Sequence, residues 1–346
     1  MNKSYRLVYS IVTNTWVAVS ELTKARGKRS GSVVAAAALG TVLLASASAA
    51  MGQTYLGTGK YSNAQGTVCS PSTGAAIDPT YTTFTCTVAN ADGGYSVISG
   101  VPAVSAGGAP NFATLAAYVA GNHGANAILL GDITTKATGA NSVAIGNGAN
   151  ASKDDAIAFG TGATASGTNS VAIGLKSTAS GASAYALGEN AKAVGDNSVA
   201  LGADTSSNTA YGVAIGRNVS STGQSAIALG GGSATGGAAK ADGTGAIAIG
   251  SGGSSTKGAQ ATDSQAIAIG EGAKASKGQS IAIGKSAAAS QASAIAMGNG
   301  AQAKGENSIS IGTGNKVSGN NSGAIGDPSI INGANSYSVG NNNTIG

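Results

Sequence analysis

The chain has 346 residues, with 56 glycines, 4% aromatic and 10% charged side chains, a composition that excludes ordinary globular cores. So little charge also excludes a solvated disordered chain. The formal net charge of +5 is no signal of nucleic acid: Lys3, Arg6, Lys24, Arg26, Lys28 and Arg29 face only Glu21 within residues 1–49. The remainder is balanced and leaves no basic stripe to track phosphates.

Residues 24–49 read as a secretory signal. A basic cluster at Lys24, Arg26, Lys28 and Arg29 precedes an apolar run from Val33 to Leu44, then small residues that include Ala47-Ser48-Ala49, with cleavage expected after Ala49. The run is too short to span a bilayer, which takes about 20 apolar residues. A standard signal does not need the segment before it. That segment, with Met1-Asn2-Lys3, Tyr5-Arg6 and Trp16-Val17-Ala18-Val19-Ser20-Glu21-Leu22, resembles the extended signal peptide region of Gram-negative type V secretion substrates. The resemblance implies export to the bacterial cell surface or outer membrane.

Residues 50–132 hold most of the remaining aromatics, among them Tyr55, Tyr61, Tyr81, Phe84 and Tyr95, and lack the period described below. They are expected to form an N-terminal cap, since an open solenoid end exposes an apolar layer and unpaired strand edges. Cys69 and Cys86, both exported, are expected to form a disulfide. Two cysteines and the distant His123 make a poor metal ligand set.

From Asn141 onward a tetrapeptide of the form apolar, small, apolar, Gly recurs to the end of the chain. It ends first at Gly146, Gly160 and Gly174 and last at Gly340, in steps of 14 residues except for two steps of 20. Such a period specifies a solenoid, whose short unit gains stability by stacking on its neighbours. Within the tetrapeptide, Val143 and Ile145, Val171 and Ile173, Val199 and Leu201 alternate with Ala144, Ala172 and Ala200. Period-two alternation puts the aliphatic pair on one side of a strand and the alanine on the other. The pair is expected inside the coil, and the alanine side outside, where small residues let an identical rod approach closely. A second strand is written in spaced alanines, such as Ala149 and Ala151 or Ala163 and Ala165, with Gly and Asn in the turns between strands. Each repeat is then one coil of a parallel β-roll rising about 4.8 Å.

The two long steps, Gly230 to Gly250 and Gly250 to Gly270, are adjacent and equal. Six residues are added at the same turn in both, including Gly231, Gly232 and Ser233, then Ser251, Ser254 and Ser255. Loop tips tolerate insertion cheaply, and stacked loops of equal length are also a possible ligand-facing protrusion. The lysines, among them Lys176, Lys192, Lys274, Lys277 and Lys304, invite a role toward acidic glycans, but they are scattered and balanced by Asp and Glu, and a solubilising role is the expected one.

The hexapeptide Asn-Ser-Val-Ala-Ile-Gly at 141–146 and 169–174, with Asn-Ser-Val-Ala-Leu-Gly at 197–202, resembles the head repeat of trimeric autotransporter adhesins of the YadA type. The resemblance covers residues 133–346. It implies a left-handed parallel β-roll, a homotrimer, passage through an export machinery, and a head that binds extracellular matrix or host-cell surface proteins. The family also carries a coiled-coil stalk and a C-terminal β-barrel anchor, neither of which is found in this sequence, so a truncated frame is expected.

Catalysis is not expected. One histidine allows no Ser-His-Asp constellation in the repeats; Asp154 and Asp155, the paired carboxylates, read as turn residues; and no Gly-Lys-Ser/Thr phosphate loop or calcium nonapeptide is present. No cofactor, no metal and no nucleic acid partner is implied. The overall reading is an all-β homotrimeric surface adhesin: residues 1–49 for export, 50–132 as cap and 133–346 as β-roll. A structural, self-associating surface protein and a monomeric secreted solenoid are the competing readings.

Overall fold

The computed structural model describes residues 5–10, 15–20, 54–57, 60–62, 68–71, 83–89, 95–102, 115, 118–119, 121–233, 237–253 and 256–346. The chain divides into two compact units, Met1–Ala47 and Ser48–Gly346. In the first, β1 (Tyr5–Ser10) pairs antiparallel with β2 (Thr15–Ser20). The cleavage position expected at Ala49 lies outside the described residues.

The second unit is a parallel β-solenoid. It begins with a meander of β3 (Thr54–Gly57), β4 (Lys60–Ser62), β5 (Val68–Pro71), β6 (Thr83–Ala89) and β7 (Tyr95–Pro102), each antiparallel to the one before. β7 then pairs in parallel with β8 (Ile128–Asp132), so the meander continues directly into the solenoid ladder. From β8 and β9 (Lys136–Ala137) to β36 (Tyr337–Val339) and β37 (Thr344–Ile345), longer and shorter strands alternate, and each pairs in parallel with its counterpart one coil away. The shorter strands form a 15-stranded sheet. The ladder of longer strands is open, with β3 and β36 each paired on one side among the described residues.

The ladder takes in one coil ahead of the first tetrapeptide. Ile128-Leu129-Leu130-Gly131 stands in register with Val143-Ala144-Ile145-Gly146, fifteen residues earlier. Leu129 fills the place of the repeat alanine, fully buried, beside the meander core of Phe84, Ile98 and Val101. A larger side chain fits there because the meander, not another narrow coil, lies on one side.

The expected assignment of the two faces is reversed. Ala144, Ala172 and Ala200 are fully buried inside the coil, whereas Val143, Ile145, Val171, Val199 and Leu201 are half-buried and Ile173 is exposed. Coil length explains this. A turn of 14 residues holds one strand of three and one of two, so its sheets lie close, and their shared interior is lined mainly by alanine and serine, with larger side chains such as Val219, Val317 and Ile331 only at some shorter-strand positions. Ala144 and Ala158 from the longer strands meet Ala149, Ala151, Ala163 and Ala165 from the shorter ones, all at zero exposure. The aliphatic pair therefore faces outward.

Each position of the hexapeptide now has a cause. Asn141, Asn169 and Asn197 adopt φ of 55°, 56° and 55°, the left-handed turn conformation that asparagine tolerates better than most residues. The following serine points inward: Ser142 and Ser170 are buried and donate to the carbonyls of Gly139 at 2.7 Å and Gly167 at 2.6 Å, which satisfies a hydroxyl that would otherwise be costly to bury. Val and Ile face out and Ala in. The terminal glycine has φ near 125°, as at Gly146 (123°) and Gly174 (128°), a region essentially reserved for glycine.

A narrow interior makes a sharp prediction. Ala172→Leu overpacks a filled coil and is expected to lower the unfolding free energy by about 1–3 kcal/mol. Ile173→Thr, on the outward side and still β-branched, is expected to leave the single chain nearly unchanged. Denaturant unfolding of the two variants checks the reversal of faces directly.

Candidate binding surfaces

Three surfaces emerge from this geometry. On the longer-strand sheet, the outward residues line up in two columns because the register repeats without a slip: Val143, Ile157 and Val171 in one, Ile145, Phe159 and Ile173 in the other. The nine signature residues are thus brought onto one sheet, alanines inward and aliphatics outward. Phe159 is 50% exposed and Ile173 38%. At Gly323 the aliphatic residue is missing, and the Tyr337 ring from the next coil lies over the vacant position, 2.7 Å from where a Cβ would stand. A stripe of 15 coils is on the order of 70 Å long, an apolar exposure larger than single chains normally leave to water.

The second surface is formed by the paired additions. Both extend the turn that leads from a longer to a shorter strand. The turn closes all the same, with Ala239 N–H donating to Gly230 O and Ala259 N–H to Gly250 O, each at 3.0 Å, as Ala149 does to Gly146 in an ordinary coil at 3.1 Å. Gly252 N–H donates to Gly237 O at 2.6 Å and ties one addition to the other. Asn218 Nδ2 donates to Gly232 O at 3.0 Å, and Gly232 N–H to Arg217 O at 3.0 Å, anchoring the first to the coil before it. Of the expected loop residues, Gly231, Ser233 and Ser251 belong to these turns; Ser254 and Ser255 lie outside the described residues. A groove of about 320 Å³ opens beside the additions, lined by Asn218, Ser220, Ser233, Lys240, Lys257 and Gln260 among others.

The third surface is the outward face of the shorter-strand sheet. Overall charge balance conceals how charge is distributed here. Lys240, Gln260 and Lys274 occupy one register column, which continues through Ala288 and Gln302 to Lys316, and Lys304 lies one place to the side. The carboxylates mostly sit in turns. Asp154 and Asp155 do so: Asp154 Oδ1 accepts Ala140 N–H at 2.9 Å, and Asp155, with φ of 57°, accepts Asn141 Nδ2 at 3.2 Å. Among the described residues the ion pairs are Lys240–Asp242 at 2.9 Å and Lys285–Glu271 at 3.6 Å. The hydroxyl of Thr256, then Lys285, hold the Glu271 carboxyl below its ordinary pKa.

At the meander end, the Cys69 and Cys86 sulfurs are bonded at 2.00 Å, on neighbouring strands in direct register. Asp132 Oδ1 accepts from Thr134 N–H and Oγ1, Thr135 Oγ1 and Gly148 N–H at 2.6–3.2 Å. Although burial pushes its carboxyl up, the Thr134, Gly148 and Thr135 donors outweigh that and lower its pKa. This carboxylate staples the first coil to the second. Burial, then the nearby Asp132 charge, pushes the Tyr118 phenol up to about 12. Among the described residues no three His, Cys, Asp or Glu side chains gather where a metal could be held.

Comparison with known families agrees with this architecture. The family described as the Extended Signal Peptide of Type V secretion system matches residues 1–50. The YadA head domain repeat matches in nine segments, 137–163, 151–177, 179–205, 193–218, 231–252, 261–287, 275–301, 289–315 and 303–327, which include the first of the two additions. A search of curated proteins returns no match. The two matches together place the chain among proteins that carry YadA head domain repeats behind an extended signal peptide of type V secretion, consistent with a trimeric autotransporter adhesin.

Proposed function

We propose that the chain is the head of a homotrimeric bacterial surface adhesin that attaches to extracellular matrix or host-cell surface proteins by multivalent binding, without catalysis or a cofactor. The observation that carries this reading is the succession of YadA head repeats behind an extended type V signal. Its assembly is supported by the outward aliphatic stripe, which no element among the described residues covers. Residues 1–49 would direct export to the cell surface, 50–132 would cap the roll, and 133–346 would present the binding faces. Three copies of each face raise avidity well above the affinity of one site.

Purified protein is expected to bind immobilised collagen, fibronectin or laminin saturably. Aggregation of cells bearing the protein, with none of these ligands bound, would replace this reading with self-association. The paired additions are the part of the head proposed to meet the ligand. Deleting residues 231–236 and 251–256 together restores two ordinary 14-residue coils and is expected to weaken binding about tenfold or more at constant fold. Unchanged binding by the folded deletion variant would assign the additions to tolerated turn length.

A further inference from the structure

We infer that the groove beside the paired additions, together with the lysine column leading away from it, binds a linear anionic polysaccharide bearing sulfate or carboxylate groups. The inference deepens the adhesin reading by naming a ligand class for one face.

The argument starts from register. In the shorter-strand sheet, inward positions are the buried alanines Ala241, Ala261, Ala275 and Ala303, so the residue before each one must face out. Those residues include Lys240, Gln260 and Lys274, and Lys316 does the same before buried Val317. Neighbouring coils are about 4.8 Å apart, so Lys240 and Lys274 stand roughly 10 Å apart, and Lys274 and Lys316 roughly 14 Å. The result is a straight row of ammonium groups with amide and small side chains between them, parallel to the solenoid axis. A flexible chain with regularly spaced negative charges can follow such a row. A compact small ligand cannot span it.

Charge supports the same partner. Asp242 is the carboxylate on this face over these coils, and it is already engaged, by Lys240 at 2.9 Å and by the Thr222 hydroxyl at 2.6 Å. Beyond the Lys240 of that pair stand Lys257, Lys274, Lys304 and Lys316. Among the described residues neither an ion pair nor a hydrogen bond engages the side chains of Lys257, Gln260 or Lys274. Glu271, in the turn of the following coil, is committed to Thr256 and Lys285.

The groove gives the row a specific end. Backbone bonds from Gly232 to Arg217 and from Gly252 to Gly237 fix the described ends of the additions beside it, and Lys240, Lys257, Gln260 and Ser220 present cationic, amide and hydroxyl groups on one concave surface. Hydroxyls and amides recognise sugar, and lysines recognise its anionic substituents. The groove borders the shorter-strand sheet through Ser220, Lys240 and Gln260, so the aliphatic stripe of the other sheet is not needed for this site.

The test uses the full chain and a size-defined heparin octasaccharide. Binding is expected at low salt and is lost when added salt shortens the Debye length to about 3 Å. The triple substitution Lys240→Gln, Lys257→Gln, Lys274→Gln is expected to weaken binding about tenfold. A charge-matched control in the turns, Lys153→Gln, Lys176→Gln, Lys277→Gln, is expected to stay within about twofold. Absence of octasaccharide binding, equal losses in the two triple variants, or equal binding of a poly-aspartate peptide would each overturn the inference. Retained binding of the groove variant to collagen, fibronectin or laminin separates this result from failure of the adhesin reading itself.

Discussion

Gly174→Ala is expected to destabilise the solenoid by on the order of 3–5 kcal/mol, far more than an alanine substitution on a solvent-facing strand. Two independent costs act at this glycine. Its φ of 128° lies where side-chain-bearing residues are strained, and an added Cβ would stand 2.5 Å from the Gly188 carbonyl oxygen of the next coil. Gly188 meets Gly202 in the same way at 2.5 Å, and Gly160 meets Gly174 at 2.6 Å. The column is thus a backbone-on-backbone stack in which no side chain can yield. Because each coil contacts only its neighbours, the damage falls on the interfaces flanking coil Val171–Ile173, and unfolding is expected to split into two transitions. Asn169→Ala, in the same coil with φ of 56°, faces only the milder left-handed penalty and is expected to cost about 1–2 kcal/mol. Thermal unfolding followed by circular dichroism checks both. A Gly174→Ala variant as stable as Asn169→Ala would remove the close-stack argument.

The same hexapeptide shows what sequence alone conveys. Period, strand placement and turn chemistry are legible, because positive φ favours Asn or Gly and the buried position after it takes a small residue, Ser142 and Ser170 in some coils and Ala156 and Ala184 in others. Which face is interior is not legible from one strand, since alternation separates Val143 and Ile145 from Ala144 without saying which side is dry. The second strand carries the missing signal. There the residues alternating with alanine are Asn150, Thr164, Thr178 and Lys192, which belong in water, so Ala151, Ala165, Ala179 and Ala193 must point in. An interior lined by alanine on one sheet requires small residues on the other, and this alone reverses the assignment. The first coil is not legible for a different reason: Leu129 replaces the alanine and the step to the next glycine is fifteen residues. The lysine column was hidden because sequence spacing changes at the additions, whereas register does not. Lys240 and Lys274 are 34 residues apart in sequence and two coils apart in space.

Moving the aliphatic pair outward also moves the predicted contact between chains, and with it the largest expected effect on assembly. The combined variant Phe159→Lys, Ile173→Thr, Leu187→Glu is expected to sediment as a single folded chain under conditions where the unsubstituted protein is a trimer. The three positions are consecutive in one column and 50%, 38% and 36% exposed in the single chain, so the replacements meet water there and disturb no coil interior. Opposite charges two coils apart, with a β-branched residue between, also avoid self-repulsion within the column. In a trimer joined through this stripe, each chain would bury an unpaired charge against apolar neighbours, at a cost of several kcal/mol per ion. Summed over three chains, that weakens association by more than about a thousandfold. Ala158, Ala172 and Ala186, at zero exposure beneath the same strands, supply no surface for a partner to approach, so a contact through the alanines is ruled out by geometry. A variant that remains trimeric would place the contact elsewhere than on the stripe. An unsubstituted protein that sediments as one chain would reject the trimer itself, and would leave an exposed apolar stripe on the order of 70 Å long for some other partner to cover.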